Sequence, residues 1–480
     1  MGADDVFYDR ASELAMLDAL LTRQRRGELL LMYGRRRVGK TALIREWASR
    51  SGLPWTYWSA LKEPAELQRR RLAATLRGRP PSAAGPSFPS WSDLWDDVAT
   101  LVRDDRRILV LDELPWAIEA DPSLLSALQY AWDIHFQHSN LILVLCGSHI
   151  RTMESLLSRQ TPLFGRLTAQ HQLQPLPFGV LREFFPAWAP DAQVAAYAIL
   201  GGVPQYLSWF EADASLGENI RRNILGPTSV ALSEIELLLS DEVRDIRTYL
   251  TVLNAIGEGA HALKEISDAT VTAPTNLTKY LGVLQELRLV ERRVPATVPP
   301  NLQHRSKQGR YHLLDPFHRF YFRFLRPNQA EIAYQPDRVL EQIQSGLRAF
   351  VGQTAWEELA RSWVFHQGLR GVLGFAPEVI GSHWDRSVQA DVVAVSWRER
   401  VMLVGECKWG ADAVTRQELR RLIEHTLPRT LAALPQRGEG WRTIPALFAR
   451  AGATPDAETL LHEQGGLLVD LPTLYADLAP

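Results

Sequence analysis

The 480-residue sequence holds two cysteines, Cys146 and Cys407, too few for a disulfide framework or a cysteine-rich zinc site. It also lacks a charge imbalance, since 53 Lys and Arg stand against 55 Asp and Glu for a formal net charge of -2. No global field draws such a chain to nucleic acid, so a nucleic-acid role must rest on a local patch. No apolar run approaches the roughly 20 residues that span a bilayer. The opening MGADDVFYDR is acidic, has no apolar stretch and is not read as a secretory signal. Val6 stands where a myristoylation pattern needs Ser or Thr. The expectation is a cytoplasmic protein with no membrane partner. Hydrophobic residues at 46% and charged residues at 22% rule out a mostly disordered chain, and the length predicts two to four domains.

What is present begins with an apolar run, ELLLMY at 28–33, followed by GRRRVGKT and then TALIREWA at helical spacing. That order predicts strand, glycine-bounded loop and helix. Further strands are expected at 55–60 (WTYWSA), 108–113 (ILVLDE) and 141–148 (LILVLCGS). The Pro/Gly/Ser-rich stretch at 78–90 reads as an exposed loop. Strands alternating with helical segments predict a parallel sheet covered on both faces, in an α/β domain over 1–186.

The loop Gly34-Arg35-Arg36-Arg37-Val38-Gly39-Lys40-Thr41 matches G-x-x-x-x-G-K-[ST] in the strand–helix setting that its mechanism needs. Its glycines allow backbone N–H groups to converge on phosphate oxygens, and the helix N-terminus adds its positive end. Lys40 would reach the β and γ phosphates of ATP, and the Thr41 hydroxyl would bind Mg²⁺. Asp112, closing ILVLDE, would hold the Mg²⁺ shell, with Glu113 placed to polarise the attacking water.

FYDRASELAMLDALL, GRRRVGKT, LDELPW, CGSHIRTME, PLFGR and GGVPQYL follow one another in the order seen in one group of proteins. In this the chain resembles the AAA-type prokaryotic (archaeal and bacterial) P-loop ATPases of the signal-transduction-ATPase branch. The resemblance implies an ASCE-type sheet and an N-terminal segment, Phe7 to Leu14, against the adenine, with Phe7 and Arg10 among the nucleotide contacts. It also implies a polar sensor at Ser148 and an arginine finger at Arg166, a charge for the developing phosphate oxygens. A turn residue at Ser148 and a solvated or ion-paired arginine at Arg166 are the plainer readings.

A helical lid region is expected over 187–247. Residues 248–330 resemble a winged helix, whose candidate recognition helix presents Thr275, Asn276, Thr278 and Lys279. Between 285 and 326 nine Lys and Arg stand against three acids, a local +6 stretch suited to DNA. Winged helices also serve as protein-binding or autoinhibitory modules, so a protein partner stays open beside DNA. The aromatic run DPFHRFYFRFL at 315–325 is read as core packing rather than a base-stacking platform.

In the last domain, 345–480, DVVAVSWRERVMLVGECKW reads as a hairpin with Asp391 on one strand and Glu406-Cys407-Lys408 on the next. Asp391 and Glu406 can share a divalent cation, Mg²⁺ or Mn²⁺, while Lys408 orients a water or offsets phosphate charge. Cys407 is read as a small buried hydrophobe rather than a ligand. The D…E-x-K spacing matches the PD-(D/E)XK nuclease pattern, and the ATPase family above commonly ends in such a domain, long carried as one of unknown function. Glu357, or the adjacent Glu358, is placed like the acid that many of these nucleases bring from a helix. Gln389 departs from the pattern, since an acid often stands two residues before the metal-binding Asp.

The fold expected is therefore α/β throughout: an ASCE/AAA-type parallel sheet, a helical and winged-helix region, then an α/β nuclease-like domain. The function expected is an Mg²⁺-dependent ATPase acting on DNA. A regulatory signalling ATPase with a non-catalytic C-terminal module is the alternative, and a homo-oligomer in which Arg166 serves a neighbour is a third. Lys40→Ala is expected to weaken ATP binding or hydrolysis and leave the fold intact, to be read from nucleotide titration beside circular dichroism.

Overall fold

The computed structural model describes residues 7–23, 26–80, 86–102 and 105–479. Val6 and the middle of the proline-rich stretch, 81–85, lie outside the described residues. Contacts divide the chain into two units, Met1–Leu176 with Val203–Gln205, and Pro177–Gly202 with Tyr206–Pro480.

The first unit is built on five parallel strands: β1 (Glu28–Tyr33), β2 (Trp55–Ser59), β3 (Arg107–Asp112), β4 (Leu141–Gly147) and β5 (Ala169–Gln172). Their order is β2-β3-β4-β1-β5. β1 and β4 are buried along their whole length and β3 nearly so, as their unbroken apolar sequences require of strands covered on both faces. The two-residue period sorts these side chains into two cores. Leu29, Leu31, Leu109, Leu111, Leu143 and Leu145 face Trp91 and Trp95. Leu30, Met32, Ile108, Val110, Ile142 and Val144 face Leu43, Ile44 and Trp47 of the Lys40–Arg50 helix. β5, with the sequence AQHQ, was not anticipated, because an edge strand need not be apolar.

The second unit contains three short helices, Ile246–Gly257, Leu263–Thr270 and Pro274–Glu286. An antiparallel pair follows them, β6 (Val290–Arg293) and β7 (Arg310–Leu313), in register Val290↔Leu313. Phe317, Phe320, Tyr321, Phe322, Phe324 and Leu325 are all buried, which makes the aromatic run a core element. A helical stretch then runs through Pro336–Val351 and a π turn at Gly352–Trp356 into Glu357–Leu369.

A five-stranded mixed sheet completes the second unit: β8 (Val379–Trp384), β9 (Gln389–Ser396), β10 (Val401–Lys408), β11 (Arg442–Ala449) and β12 (Leu467–Asp470). The order is β12-β11-β10-β9-β8, antiparallel among β8, β9 and β10 and parallel from β10 to β12. The anticipated hairpin is β9–β10. β11 was hidden by Pro445, which a central strand normally excludes. Here β12 pairs only from Ala446 onward, so on that side the missing N–H removes no ladder bond. Among the described residues no helix is long and apolar enough to cross a membrane.

The Glu357–Leu369 helix is seated on this sheet through Trp356, fully buried, whose indole N–H donates to the Phe448 carbonyl at 2.9 Å. Trp356→Ala should destabilise the second unit by about 3–5 kcal/mol, the usual cost of emptying a buried indole site, measured by urea unfolding.

Candidate functional site

The loop after β1 turns within six residues into the Lys40–Arg50 helix. Gly34 is required by close approach, since a Cβ there would lie 2.5 Å from the Leu173 carbonyl oxygen. Gly39 takes φ 93, a left-handed conformation that an L side chain resists. Arg35, Arg36 and Arg37 are half-buried along the loop, and Val38 is fully buried beneath it. Arg10 is itself buried, and its guanidinium donates to the Val38 carbonyl at 3.1 Å and to the Gln174 carbonyl at 2.8 Å. The structure thus puts Arg10 behind the loop as a brace. Phe7, expected against the adenine, packs on the core that contains Leu17 and Leu43.

Lys40 curls back onto the loop, donating to the carbonyls of Gly34 at 2.8 Å and Arg35 at 3.0 Å. Burial lowers its pKa against the opposing charges of Glu113 and Asp112 nearby. Thr41 Oγ1 donates to Asp112 Oδ2 at 2.9 Å, joining the two residues expected to hold Mg²⁺. Asp112 Oδ1 accepts from the Glu113 backbone N–H at 2.9 Å. Glu113 adopts φ 48, and its carboxylate accepts from Ser148 Oγ at 2.9 Å. The acid expected to polarise water and the polar residue expected as sensor are therefore hydrogen-bonded to each other.

Arg166 is bound on both sides of its fork to Asp133, at 2.8 and 2.7 Å, with a further bond to the Pro162 carbonyl at 2.9 Å. Asp133 raises its pKa through that hydrogen bond.

A second cluster lies in the other unit. Glu357 comes from the helix, Asp391 from β9, and Glu406 and Lys408 from β10. Lys408 Nζ donates to Glu406 Oε1 at 2.8 Å, and the Cys407 backbone N–H donates to Asp391 Oδ2 at 3.0 Å. Burial, and then the charge of Asp391, push the Glu357 carboxyl up to about 7. Burial, and then Glu406, push Asp391 up to about 6. Burial opposes the Lys408 charge, but its hydrogen bond and attraction to Glu406 outweigh that and raise its pKa. Cys407 is half-buried by exposed area, and burial followed by Asp391 pushes its thiol up, so it remains a neutral filler. Among the described residues no group of three or more His, Cys, Asp and Glu side chains is arranged to hold a metal ion. Asp391 is coupled through charge to Glu406, and Glu357 to Asp391.

With this geometry in view, relatives can be placed. Residues 7–210 match a family described as an ATPase domain predominantly from Archaea. Residues 321–422 match one described as archaeal and bacterial proteins of unknown function. The uncharacterized protein MJECL04 of Methanocaldococcus jannaschii is 30% identical over 405 residues, which is 84% of this chain and 88% of the relative. The chain belongs to this family of P-loop ATPases. The Walker-type ATPase PABY2304 of Pyrococcus abyssi shares the fold at a TM-score of 0.51 and 19% identity, covering 66% of this chain and 96% of that one. The ORC2 protein of Aeropyrum pernix aligns at a TM-score of 0.44 and 14% identity over 71% of this chain and 98% of its own.

Three residues of the family member's sites were not anticipated. Tyr57 Oη donates to Asp112 Oδ2 at 2.5 Å, and Cys146 lies fully buried beside the same carboxylate. Arg361 donates to the Asp391 carbonyl at 2.8 Å and pairs with Glu357 at 3.3 Å. Only Arg361 left a signal in the sequence, four residues after Glu357 on one helix face.

Thr275, Asn276, Thr278 and Lys279 are exposed on the Pro274–Glu286 helix. Within the basic stretch, however, Arg293 and Arg319 both pair with Glu358, at 3.1 and 2.7 Å. Burial raises the Glu358 carboxyl, but Arg319 and Arg293 outweigh it and hold the group below its ordinary range. Arg326 pairs with Glu236 at 3.6 Å. The +6 stretch is partly spent on internal pairing.

Because Glu357 and Asp391 keep their protons to higher pH when folded, they stabilise the metal-free protein fully below about pH 4. That contribution is lost as pH rises through about 6 and 7. Urea midpoints should fall between pH 4.5 and 8, and Glu357→Gln should flatten the decline, on the order of 2 kcal/mol per raised carboxyl.

Proposed function

We propose that the protein is an Mg²⁺-dependent ATPase whose C-terminal domain is a PD-(D/E)XK-type, metal-dependent nuclease acting on DNA through a winged helix. The domains on this reading are the ATPase (1–186), a helical lid (187–247), the winged helix (248–330) and the nuclease-like domain (345–480). The observation that carries the nuclease is the convergence of Glu357, Asp391, Glu406 and Lys408 from a helix and two adjacent strands.

In the first site Thr41 and Asp112 would hold Mg²⁺, and the hydroxyl–carboxylate pair they already form suits an oxygen-loving cation. Lys40 exchanges its two loop carbonyls for phosphate oxygens when ATP enters. Glu113, once released by Ser148, accepts a proton from the attacking water. Arg166 serves transition-state charge after leaving Asp133, in its own site or a neighbour's in a homo-oligomer.

In the second site Asp391 and Glu406 would hold Mg²⁺ or Mn²⁺, and the donor set fits. Burial, and then repulsion from the half-buried Glu406, raises Asp391, and a cation would relieve that repulsion. When bound, such a cation supplies Lewis-acid polarisation of a phosphate oxygen. Lys408 then positions a water or offsets phosphate charge, while Arg361 keeps Glu357 and the β9 backbone in place.

A second reading, the regulatory ATPase switch with a non-cutting C-terminal module, is favoured by the Glu358 pairing. Arg293 and Arg319, two of the nine cations of the basic stretch, are committed inside the protein rather than presented to a phosphate backbone.

Cleavage of linear, supercoiled and single-stranded DNA, with Mg²⁺ or Mn²⁺ and with or without ATP, separates the two. The nuclease reading expects cutting that Glu406→Ala, Asp391→Ala and Lys408→Ala reduce by about 100-fold or more while ATP hydrolysis persists. Absence of cutting with intact ATP hydrolysis would overturn the nuclease reading and favour the regulatory one.

A further inference from the structure

Besides the adjacent Cys146 thiol, the Asp112 carboxylate has three N–H and O–H donors, and one of them comes from neither the phosphate loop nor its own strand. Glu113 N–H binds Oδ1 at 2.9 Å, whereas Oδ2 accepts both Thr41 Oγ1 at 2.9 Å and Tyr57 Oη at 2.5 Å. Tyr57 lies on β2, the edge strand, two residues before Ser59, which is the register partner of Asp112. Its ring packs against the core that contains Leu30 and Ile108 and also borders an open groove of about 590 Å³ beside Trp55, Thr75 and Leu76. Arg45 covers it as well, with the guanidinium carbon 4.4 Å from the ring centroid. Arg45 is four residues after Thr41 in the Lys40–Arg50 helix, on the same face. The contacts close a ring, from Thr41 to Asp112, to Tyr57, to Arg45 and back along the helix.

We propose that Tyr57, oriented by Arg45, is a positioning residue that fixes the Asp112 carboxylate for Mg²⁺-dependent nucleotide binding. The proposal rests on the nucleotide-site reading above. A carboxylate gripped at both oxygens cannot turn about its Cβ–Cγ bond, so no reorganisation opposes the arrival of a hydrated cation. Without the phenol, the O–H donor left to Oδ2 is the Thr41 hydroxyl. Since that hydroxyl is itself expected to serve the cation, the carboxylate is then ordered only at the expense of binding.

Calorimetric titration of the full chain with ATP, in EDTA and over a series of Mg²⁺ concentrations, tests this. Tyr57→Phe should raise the Mg²⁺ concentration for half-maximal enhancement about tenfold, the lower end of what a hydrogen bond to a charged group contributes. Affinity for ATP in EDTA should stay unchanged, because Lys40 and the loop are untouched. Arg45→Ala should act in the same direction, and Arg45→Lys, which retains a cation over the ring, should restore part of the effect. An unaltered Mg²⁺ requirement in Tyr57→Phe overturns the proposal, and so does an equal loss of metal-free ATP affinity, which would mark a purely structural residue. If the unsubstituted protein binds ATP no better than Lys40→Ala, the nucleotide-site reading itself has failed.

Discussion

A carboxylate buried at the end of an apolar strand imposes the central constraint on the first unit. Asp112 is 3% exposed, at a depth where an unpaired charge costs several kcal/mol. Three elements supply what it needs: the helix after the phosphate loop, the edge strand and the turn that begins at Glu113. Those bonds in turn fix where the loop sits relative to the sheet. The two leucine- and valine-rich faces carry the stability, whereas this one polar knot sets the geometry at the strand tips.

The second unit meets the same problem differently. Asp391 and Glu357 are half-buried, yet their surroundings offer fewer donors, and the protein answers by retaining protons. Glu358, next in sequence, takes a third course and stays ionised between two arginines. Adjacent residues of one helix thus differ in charge state because one side faces the β9–β10 carboxylates and the other faces the cations of the β6 region. A site made of reluctant anions is suited to accept a cation; one made of satisfied ion pairs is not.

Much of this was legible in the sequence, for physical reasons that differ by element. β1, β3 and β4 announce themselves because burial on both faces demands unbroken apolar runs. The phosphate loop is legible because all of its chemistry is contiguous, and the Asp391–Glu406–Lys408 set because a tight hairpin makes two strands neighbours in sequence. β5 and β11 were hidden, the first by its polar edge composition and the second by Pro445. Tyr57 was hidden for another reason. Its partner is 55 residues away, and only the β2–β3 register brings the two together. Counting charges between 285 and 326 is incomplete for the same reason, since the count cannot see that Glu358 lies against Arg293 and Arg319.

The chain's division has a consequence for how such a protein can be inherited or cut. Val203–Gln205 belong to the first unit although both flanking stretches belong to the second, and a Cβ on Gly39 would meet Pro204 at 3.8 Å. Neither unit is a single run of sequence. A proteolytic or genetic break after residue 176 would strip the phosphate loop of a neighbour encoded about thirty codons downstream. The ATPase can therefore be transplanted whole only together with the stretch that leads to GGVPQYL.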